Sequence, residues 1–303
     1  MTDDWPAIDS RLARRLVDSQ FPQWRELPLR RLDPAGSDHV IYRLGDDLTV
    51  RIPRHSGAIG QAAKEAEWLP RLAPQLPLPV PAPVAVGRPD FGYPWPWAIT
   101  RWLPGSVATV ADLAASVPAA LELAGFLAAL QSLDVPPGAP DGRPLSDRDR
   151  ATREAIADLA GVFDAPAVTR VWEQALAAPA WNRPPVWFHG DFHIGNLLTV
   201  GGRLSAVIDF GGLGAGDPAS DLQIAYSGFD PAPRAAFRAA LSLDDSAWAR
   251  GRGWTLTGGL LAHRAYAATD ERVATQTVRQ ITAALADAAR EAAPARARPT
   301  SAP

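Results

Sequence analysis

The sequence predicts an α+β fold, with a β-rich N-terminal part followed by a mainly helical C-terminal part. Short β-rich runs concentrate before residue 103, whereas apolar residues at helical spacing dominate after it. Runs of strands followed by runs of helices are typical of α+β proteins, because regular alternation would instead indicate an α/β sheet. With 303 residues, 47% of them hydrophobic, the chain is long enough for two domains or one bilobed unit.

Pro104 and Gly105 are expected to interrupt regular secondary structure after Leu103, and we predict the boundary between two lobes at this break. We therefore predict an N-terminal lobe over residues 1–103 and a C-terminal lobe over residues 104–292. The last segment, 293–303, has the sequence APARARPTSAP and is predicted to be a disordered tail.

Four elements are predicted in the N-terminal part before its proline-rich segment. Apolar residues at helical spacing indicate a helix over residues 9–19. The runs HVIYRL and LTVRI, separated by GDD, predict a hairpin whose second strand ends at Pro53. A second helix is predicted over residues 59–72.

The proline-dense segment 70–89 predicts a stiff extended connector, favoured over an SH3-type ligand because structured segments flank it. The run WAITRW, just before the break, predicts a strand. After the break, apolar spacing predicts a helix over 117–133, two helices over 149–178 and a mostly helical region over 218–289.

The composition narrows the possible functions. The net charge of −3 provides no basic surface for nucleic acid or anionic membrane. The absence of cysteine excludes a disulfide scaffold and a thiolate site. No window approaches the roughly 20 apolar residues of a membrane span, and the acidic start of the chain does not resemble a signal peptide. We expect a cytoplasmic protein with a small-molecule partner, and the oligomeric state stays open.

The stretch WFHGDFHIGN, residues 187–196, sets His189, Asp191 and His193 at alternate positions and closes on Asn196. Two interpretations are possible. The two imidazoles and the carboxylate could bind a metal ion, an arrangement we call the metal nest. Alternatively, Asp191 and Asn196 could serve a different reaction.

The segment after Asn196 favours the second interpretation. Two apolar runs around Gly201-Gly202 predict a tight hairpin whose register places Asn196 opposite Val207. Asp209 then falls on the same face as a diagonal neighbour, roughly 7 Å away at the backbone. An amide oxygen and a carboxylate so placed suit Mg²⁺. With the Asp191 carboxylate just upstream, the sequence predicts phosphoryl transfer instead of an imidazole-bound metal.

Three motifs resemble those of one family. The run HGDFHIGN resembles the kinase catalytic loop H-R-D-x-x-x-x-N, with glycine in place of arginine, and Asp209-Phe210-Gly211 resembles the magnesium-binding D-F-G. The later run GDPASDL, which contains Asp217 and Asp221, completes a resemblance to the aminoglycoside phosphotransferase family over roughly residues 25–285. The resemblance implies a bilobed protein-kinase-like fold with ATP or GTP and Mg²⁺ as cofactors. It also implies that Asp221 anchors the catalytic loop.

The resemblance assigns roles to the clustered residues. Asp191 would accept the proton of the acceptor hydroxyl or orient that hydroxyl, while Asn196 and Asp209 would hold Mg²⁺. His193 would reach the γ-phosphate or the substrate, with a purely structural role as the alternative. His189 is expected to pack at the base of the loop and to bond a backbone carbonyl. A binuclear metal site remains the alternative, although the chain has only five histidines.

The N-terminal half is expected to hold the nucleotide phosphates. Arg51 on the second hairpin strand occupies the position of the usual kinase lysine, since the single lysine, Lys64, lies in the following helix. A guanidinium can bridge phosphate oxygens and also pair with a carboxylate. Glu65 is the predicted partner because it shares an inward stripe with Trp68, whereas Glu67 lies about 200° round the helix.

The remaining nucleotide contacts are predicted on loops. The run DPAGSDH precedes the first hairpin strand, and Gly36 and Ser37 could offer backbone N–H groups and a hydroxyl to the phosphates. The adenine ring is expected to meet the backbone between Thr100 and Leu103.

The sequence thus predicts a nucleotide-dependent O-phosphotransferase that acts on a small hydroxylated molecule. The alternatives are a metabolite kinase of choline, methylthioribose or homoserine type, and a pseudokinase that binds nucleotide without turnover. From residue 181 to the end, twelve arginines face eleven acids. Because a polycationic aminoglycoside needs a carboxylate-rich pocket, we predict a neutral or singly charged acceptor.

Overall fold

The structure is a computed structural model that describes residues 7–32 and 38–292. The predicted phosphate-loop residues Gly36 and Ser37, and the predicted tail, lie outside the described residues. Within the described residues the helices are α1 (Ser10–Gln20), α2 (Gln61–Leu72), α3 (Val110–Leu113), α4 (Val117–Gln131), α5 (Asp149–Asp158), α6 (Ala165–Ala177), α7 (Ile224–Ser227), α8 (Pro231–Ala240), α9 (Asp245–Tyr266) and α10 (Glu271–Ala292).

Within the described residues, the strands form one larger and two small sheets. They are β1 (Leu29–Arg31), β2 (His39–Leu44), β3 (Leu48–Pro53), β4 (Pro83–Gly87), β5 (Trp97–Arg101), β6 (Ser106–Val107), β7 (Val186–Phe188), β8 (Leu197–Val200), β9 (Arg203–Val207) and β10 (Gly214–Gly216). The larger sheet has the order β1-β2-β3-β5-β4, and all of its pairs are antiparallel. In the small sheets, β10 pairs with β7, and β8 pairs with both β6 and β9. The five-stranded sheet lies in the N-terminal part and most of the helices lie in the C-terminal part, which confirms the predicted α+β class.

The predicted β2–β3 hairpin is confirmed. Leu44 pairs with Leu48 around a three-residue turn that starts at Gly45, whose φ of +61° lies in the left-handed region. The central strand β3 is buried along its whole length, because β2 and β5 flank it on either side. Arg51 is therefore held at the centre of the sheet.

The expectation of an extended connector throughout the proline-dense segment is wrong in two places. Ala73–Gln75 form a 3₁₀ helix that continues α2, and the second place is residues 83–87. These residues form β4, an edge strand paired with β5. An edge strand tolerates Pro83 at its first position, where the missing N–H removes no ladder bond. The backbone of Gly87 packs directly on the Trp97 indole, and a Cβ at this position would lie 1.9 Å from the ring. The alternating valines after Pro83 are the strand signal that the prolines masked.

The described residues form two hydrophobic cores, and α2 contributes to one of them. One core packs α1 against β2, β3 and β5, while the other fills the C-terminal helices. Trp68 and Leu69 of α2 belong to the C-terminal core, where the Trp68 ring lies 5.1 Å from the ring of Trp187. Helix α2 therefore packs with the helical part, although it precedes β4 and β5 in sequence. The exact lobe boundary at residue 103 stays a prediction.

The two longest helices, α9 and α10, pack against each other at the C-terminal end of the described chain. Gly259 of α9 allows their close approach, because a Cβ there would lie 2.7 Å from the amide nitrogen of Gln280. Across residues 7–32 and 38–292, the structure has no helix with the length and hydropathy needed to cross a membrane.

Candidate active site

The predicted catalytic loop starts where β7 ends, and the buried carboxylate of Asp221 fixes it. The two carboxylate oxygens of Asp221 accept hydrogen bonds from the backbone N–H groups of His189 and Gly190, each at 2.8 Å. Burial raises the pKa of Asp221 to about 7, and the two N–H donors oppose this shift. The anchoring role that the resemblance implied for Asp221 is therefore present in the structure.

Backbone crowding explains the glycine that replaces the usual arginine of the kinase motif. Gly190 has a φ of +87°, in the left-handed region. A Cβ at this position would lie 2.1 Å from the carbonyl oxygen of Gly212. The loop therefore packs directly on the segment that follows Asp209, and no larger residue fits at position 190 without moving the backbone.

His189 has both ring nitrogens occupied by backbone partners. Its Nε2 lies 2.9 Å from the carbonyl oxygen of Ile208, and its Nδ1 accepts the Asp191 N–H at 3.2 Å. The ring packs 4.4 Å from the ring of Phe210, between centroids. Burial lowers the pKa of His189. The predicted structural role is confirmed, and neither nitrogen is left to bind a metal.

Asp191 presents an ionised carboxylate to solvent. Asn196 donates from Nδ2 to the Asp191 backbone oxygen at 2.9 Å and to its carboxylate Oδ2 at 3.1 Å. Burial opposes ionisation, but His193 and the Asn196 hydrogen bond bring the pKa of Asp191 down to about 2. Half of the Asp191 side chain stays exposed. The carboxylate is thus charged near neutral pH and open to a ligand.

His193 lies beside Asp191 and is fixed by the loop backbone. Its Nδ1 accepts the N–H of Gly195 at 3.0 Å, so the proton of the neutral ring resides on Nε2. Nε2 lies 3.4 Å from the carboxylate oxygen Oδ2 of Asp191. The ring is therefore oriented towards Asp191, where it can hold the carboxylate in place. Its predicted contact with phosphate or substrate stays a prediction.

The predicted register of the β8–β9 hairpin is wrong by one residue. Val200 pairs with Arg203 as predicted, but the register shifts after Thr199, and Leu197 pairs with Val207. A bulge adds one residue to β9, so the partner of Asn196 is Ile208, whose N–H donates to the Asn196 carbonyl at 2.9 Å.

Asp209 then follows directly after the last paired residue and reaches the site by a left-handed backbone conformation, with φ of +65°. Positive φ is uncommon for a residue other than glycine, and such conformations concentrate at functional sites. The local route to the site differs from the prediction, but Asn196 and Asp209 still line one cavity.

The two predicted metal ligands offer oxygen atoms. The Asn196 amide nitrogen faces Asp191, which leaves its Oδ1 as a free acceptor, and the Asp209 side chain is 40% exposed. Carboxylate and amide oxygens suit Mg²⁺ better than zinc. In the described part of the chain, no three His, Cys, Asp or Glu residues group together as a metal site. The donor set therefore fits Mg²⁺, and the ligand roles stay predictions.

Arg51 forms the predicted ion pair with Glu65. Its Nη1 lies 2.7 Å from Oε2 of Glu65, and its Nη2 lies 3.6 Å from Oδ1 of Asp209. Burial raises the pKa of Glu65, although Arg51 opposes the shift. Burial disfavours the Arg51 cation, but Glu65 and Asp209 outweigh this and raise the pKa of Arg51. Glu67, the rejected candidate, is exposed.

Lys64 makes a contact near Asp209 that the sequence did not predict. Its Nζ donates to the carbonyl oxygen of Gly211, two residues after Asp209. Gln61, on the same face of α2, donates to Asp38 at 2.8 Å. The spacing i, i+3, i+4 of Gln61, Lys64 and Glu65 was the available signal, because it places all three on one stripe. Helix α2 thus contacts three segments around the cavity.

A cavity of about 1080 Å³ joins the sheet to the helical part. It reaches from β2 and β3, past the chain after β5, to α9 and α10. With the exception of Glu65, the described residues assigned to the site from the sequence all line it: Arg51, Thr100, Leu103, Asp191, His193, Asn196 and Asp209.

The fold and this arrangement define a protein of the kinase-like phosphotransferase class. Residues 29–254 match the model of the phosphotransferase enzyme family. The chain belongs to this family and is a small-molecule kinase. Among curated proteins, none matches the sequence significantly.

Solved structures confirm the predicted bilobed fold. The GDP complex of aminoglycoside 2'-phosphotransferase-IIIa has a TM-score of 0.71 at 20% identity. The alignment covers 92% of this chain and 99% of the aminoglycoside phosphotransferase chain. The streptomycin–ATP complex of APH(2")-IIa has a TM-score of 0.58 at 17% identity, with coverages of 92% and 99%. The macrolide 2'-phosphotransferase MphH from Brachybacterium faecium has a TM-score of 0.56 at 26% identity, with coverages of 85% and 92%.

Proposed function

We propose that this protein transfers the γ-phosphate of ATP or GTP to a hydroxyl group of a small molecule. The observation that carries the proposal is the ionised, half-exposed Asp191 carboxylate in the same cavity as Arg51 and Asp209. A carboxylate of this kind can orient an acceptor hydroxyl and take its proton as the new bond to phosphorus forms. The Arg51 guanidinium, which lines the same cavity, can bind phosphate oxygens.

The position of each residue in the cavity indicates its role in the proposed reaction. Asn196 and His193 hold the Asp191 carboxylate, and Asp221 holds the loop that carries it. Arg51, fixed by Glu65, contacts the nucleotide phosphates, with Gly36 and Ser37 supplying further contacts. Thr100 and Leu103 border the adenine. Catalysis then depends mainly on positioning and on electrostatic stabilisation, as expected for phosphoryl transfer.

Asn196 and Asp209 would hold Mg²⁺ through their side-chain oxygens. When bound, Mg²⁺ supplies positive charge that neutralises the triphosphate. Asp209 also lies 3.6 Å from Arg51, so this carboxylate would offset the positive charge of both the guanidinium and the ion.

The test is a screen for release of nucleoside diphosphate with ATP and with GTP. The acceptor panel contains aminoglycosides and macrolides, because similar solved structures include phosphotransferases of both kinds. It also contains choline, methylthioribose and homoserine. We expect acceptor-dependent release that Asp191→Asn abolishes. Nucleotide binding with no release for any acceptor would instead support the pseudokinase alternative.

A further inference from the structure

One wall of the cavity lies on the helical side, away from the residues proposed to handle the nucleotide. Its members on each long helix recur at intervals of three, four or seven residues, so they share one helix face. We call this surface the α9–α10 wall. It consists of Gln223, Ala262, Tyr266, Val273, Gln276 and Gln280.

The three glutamines of the wall are tethered in the same way. Gln276 donates from Nε2 to the carbonyl oxygen of Ser227 at 3.0 Å, and Gln280 donates to that of Thr255 at 3.0 Å. Gln223 donates to the carbonyl oxygen of its neighbour Ser220 at 3.1 Å. Each amide nitrogen is thus occupied by the protein, and each side chain retains Oε1 as a neutral hydrogen-bond acceptor.

Packing fixes the position of one of these oxygens. A Cβ added to Gly258 of α9 would lie 2.6 Å from Oε1 of Gln223. The glycine therefore leaves room for the amide oxygen at the cavity surface. Fixed acceptors select ligand donors by position, because a buried acceptor without a donor loses free energy.

The wall has little charge. The charged residues that line the cavity beside it are Glu271 and Arg272, which are exposed and of opposite sign. Of the acids on the opposite side, Asp209 faces Arg51 and Asp38 accepts from Gln61. Asp191 is half exposed there, and the proposed function assigns this carboxylate to the acceptor hydroxyl. Several ammonium groups placed on this wall would be desolvated without carboxylate partners, which is costly.

We propose that the α9–α10 wall selects a neutral or singly charged ring compound instead of a polycation. Hydroxyl groups of this compound donate to the oxygens of Gln223, Gln276 and Gln280. Its apolar face lies on Ala262, Tyr266 and Val273. This inference rests on the proposed function, because the compound is the acceptor whose hydroxyl meets Asp191.

The test compares kcat/KM for neutral or singly charged ring compounds with kcat/KM for kanamycin-type polycations. The wild type should prefer the first group. Ala262→Asp adds a carboxylate to the wall without removing a hydrogen bond, so the preference should fall about tenfold while the nucleotide KM stays constant. Ala128→Asp, at an exposed position of α4, is the matched control and should change nothing.

A second pair of variants keeps the inference testable if Ala262→Asp does not fold. Gln276→Glu places charge on the wall, and Gln75→Glu changes an exposed glutamine that is also tethered to a backbone carbonyl. Only Gln276→Glu should shift the preference towards polycations. An unchanged preference in folded wall variants would overturn the inference, as would a wild-type preference for polycations that weakens steeply with salt.

Calorimetric binding of the same compounds separates this inference from the proposed function. One outcome is that ring compounds bind to the wild type, and more weakly to Ala262→Asp, without any release of nucleoside diphosphate. In that case the inference about the α9–α10 wall is correct and the proposed reaction is wrong. If diphosphate is released only with polycations, the reaction stands and the inference about the wall fails.

Discussion

Arg51 and Glu65 form an ion pair of 2.7 Å in which the side chains are only 10% and 1% exposed. The pair connects the centre of the β-sheet to α2, and α2 in turn packs into the C-terminal core through Trp68 and Leu69. One buried contact therefore links the part that carries Arg51 to the part that carries Asp191. Loss of either partner leaves an uncompensated buried charge.

Arg51→Ala should raise the nucleotide KM by about tenfold or more and lower the free energy of unfolding by about 3–5 kcal/mol. Arg51→Lys should retain partial activity, because an ammonium keeps the charge but lacks the planar fork. Nucleotide titration and urea unfolding measure the two effects. Arg30→Ala, at an exposed arginine of β1, serves as the control. Normal nucleotide binding by folded Arg51→Ala would show that Arg51 has only a structural role.

Lys64→Met should raise the Mg²⁺ concentration needed for half-maximal activity by about threefold to tenfold, because the Gly211 carbonyl loses its charged donor. The segment that carries Asp209 would then be held less firmly. Lys64→Arg should recover part of the effect. Activity measured over a range of Mg²⁺ concentrations gives the result, with exposed Glu67→Ala on the same helix as control. Equal Mg²⁺ dependence in all variants would contradict a positioning role.

His39 should make the protein less stable as the pH falls below about 6.5. Burial, followed by the charge of Arg51, lowers the pKa of His39 to about 3, with Arg54 and His55 acting in the same direction and Asp38 opposing. The unfolded chain binds this proton at about pH 6.5, so between about pH 6.5 and 3 it holds more protons than the folded state.

The free energy of unfolding should therefore fall by up to about 1.4 kcal/mol for each pH unit below 6.5. His39→Gln should lack this component, so its stability should fall less steeply than that of the wild type between pH 6.5 and 5. Above pH 7.5 the two slopes should agree. Urea unfolding across this range decides the matter, and parallel curves throughout would refute the assignment.

The sequence predicted features that follow from periodicity and missed those that depend on tertiary contacts. Glu65 was chosen over Glu67 correctly, because a helical stripe defines which side chain faces inward. The bulge in β9 was missed, since an extra residue in one strand leaves no mark in a pattern of alternation. The contact of Lys64 with Gly211, 147 residues away, was not predicted either, because it arises only when α2 packs on the helical part.

Strand β4 was missed for a different reason. Prolines at alternate positions up to Pro83 predict an extended connector, and the same extended backbone is also compatible with an edge strand. Pairing with β5 decides between them, and that pairing depends on the fit of Gly87 against Trp97. By contrast, Gly190 stood in the sequence as an unexplained departure from the kinase motif, and only the contact with Gly212 supplies its reason.

Asp209→Asn should weaken Mg²⁺-dependent nucleotide binding, because the substitution removes a negative charge from the proposed oxygen ligands. Binding measured without Mg²⁺ should change much less. The purified wild type should contain no stoichiometric zinc, since both ring nitrogens of His189 contact the backbone. Elemental analysis checks this point. Stoichiometric zinc that disappears in a His193→Ala variant would revive the metal-nest interpretation.

Asp191→Ala should lower kcat by a factor of about 10² or more, because the acceptor hydroxyl loses the group that orients it and takes its proton. Nucleotide affinity should stay near the wild-type value, since Arg51 and Asp209 are unchanged. Asp191→Asn should be similarly inactive, because an amide keeps the shape but cannot act as a base. Single-turnover kinetics and nucleotide titration separate the two effects. An equal loss of nucleotide affinity would place Asp191 at the nucleotide instead of the acceptor and would overturn the proposed division of roles.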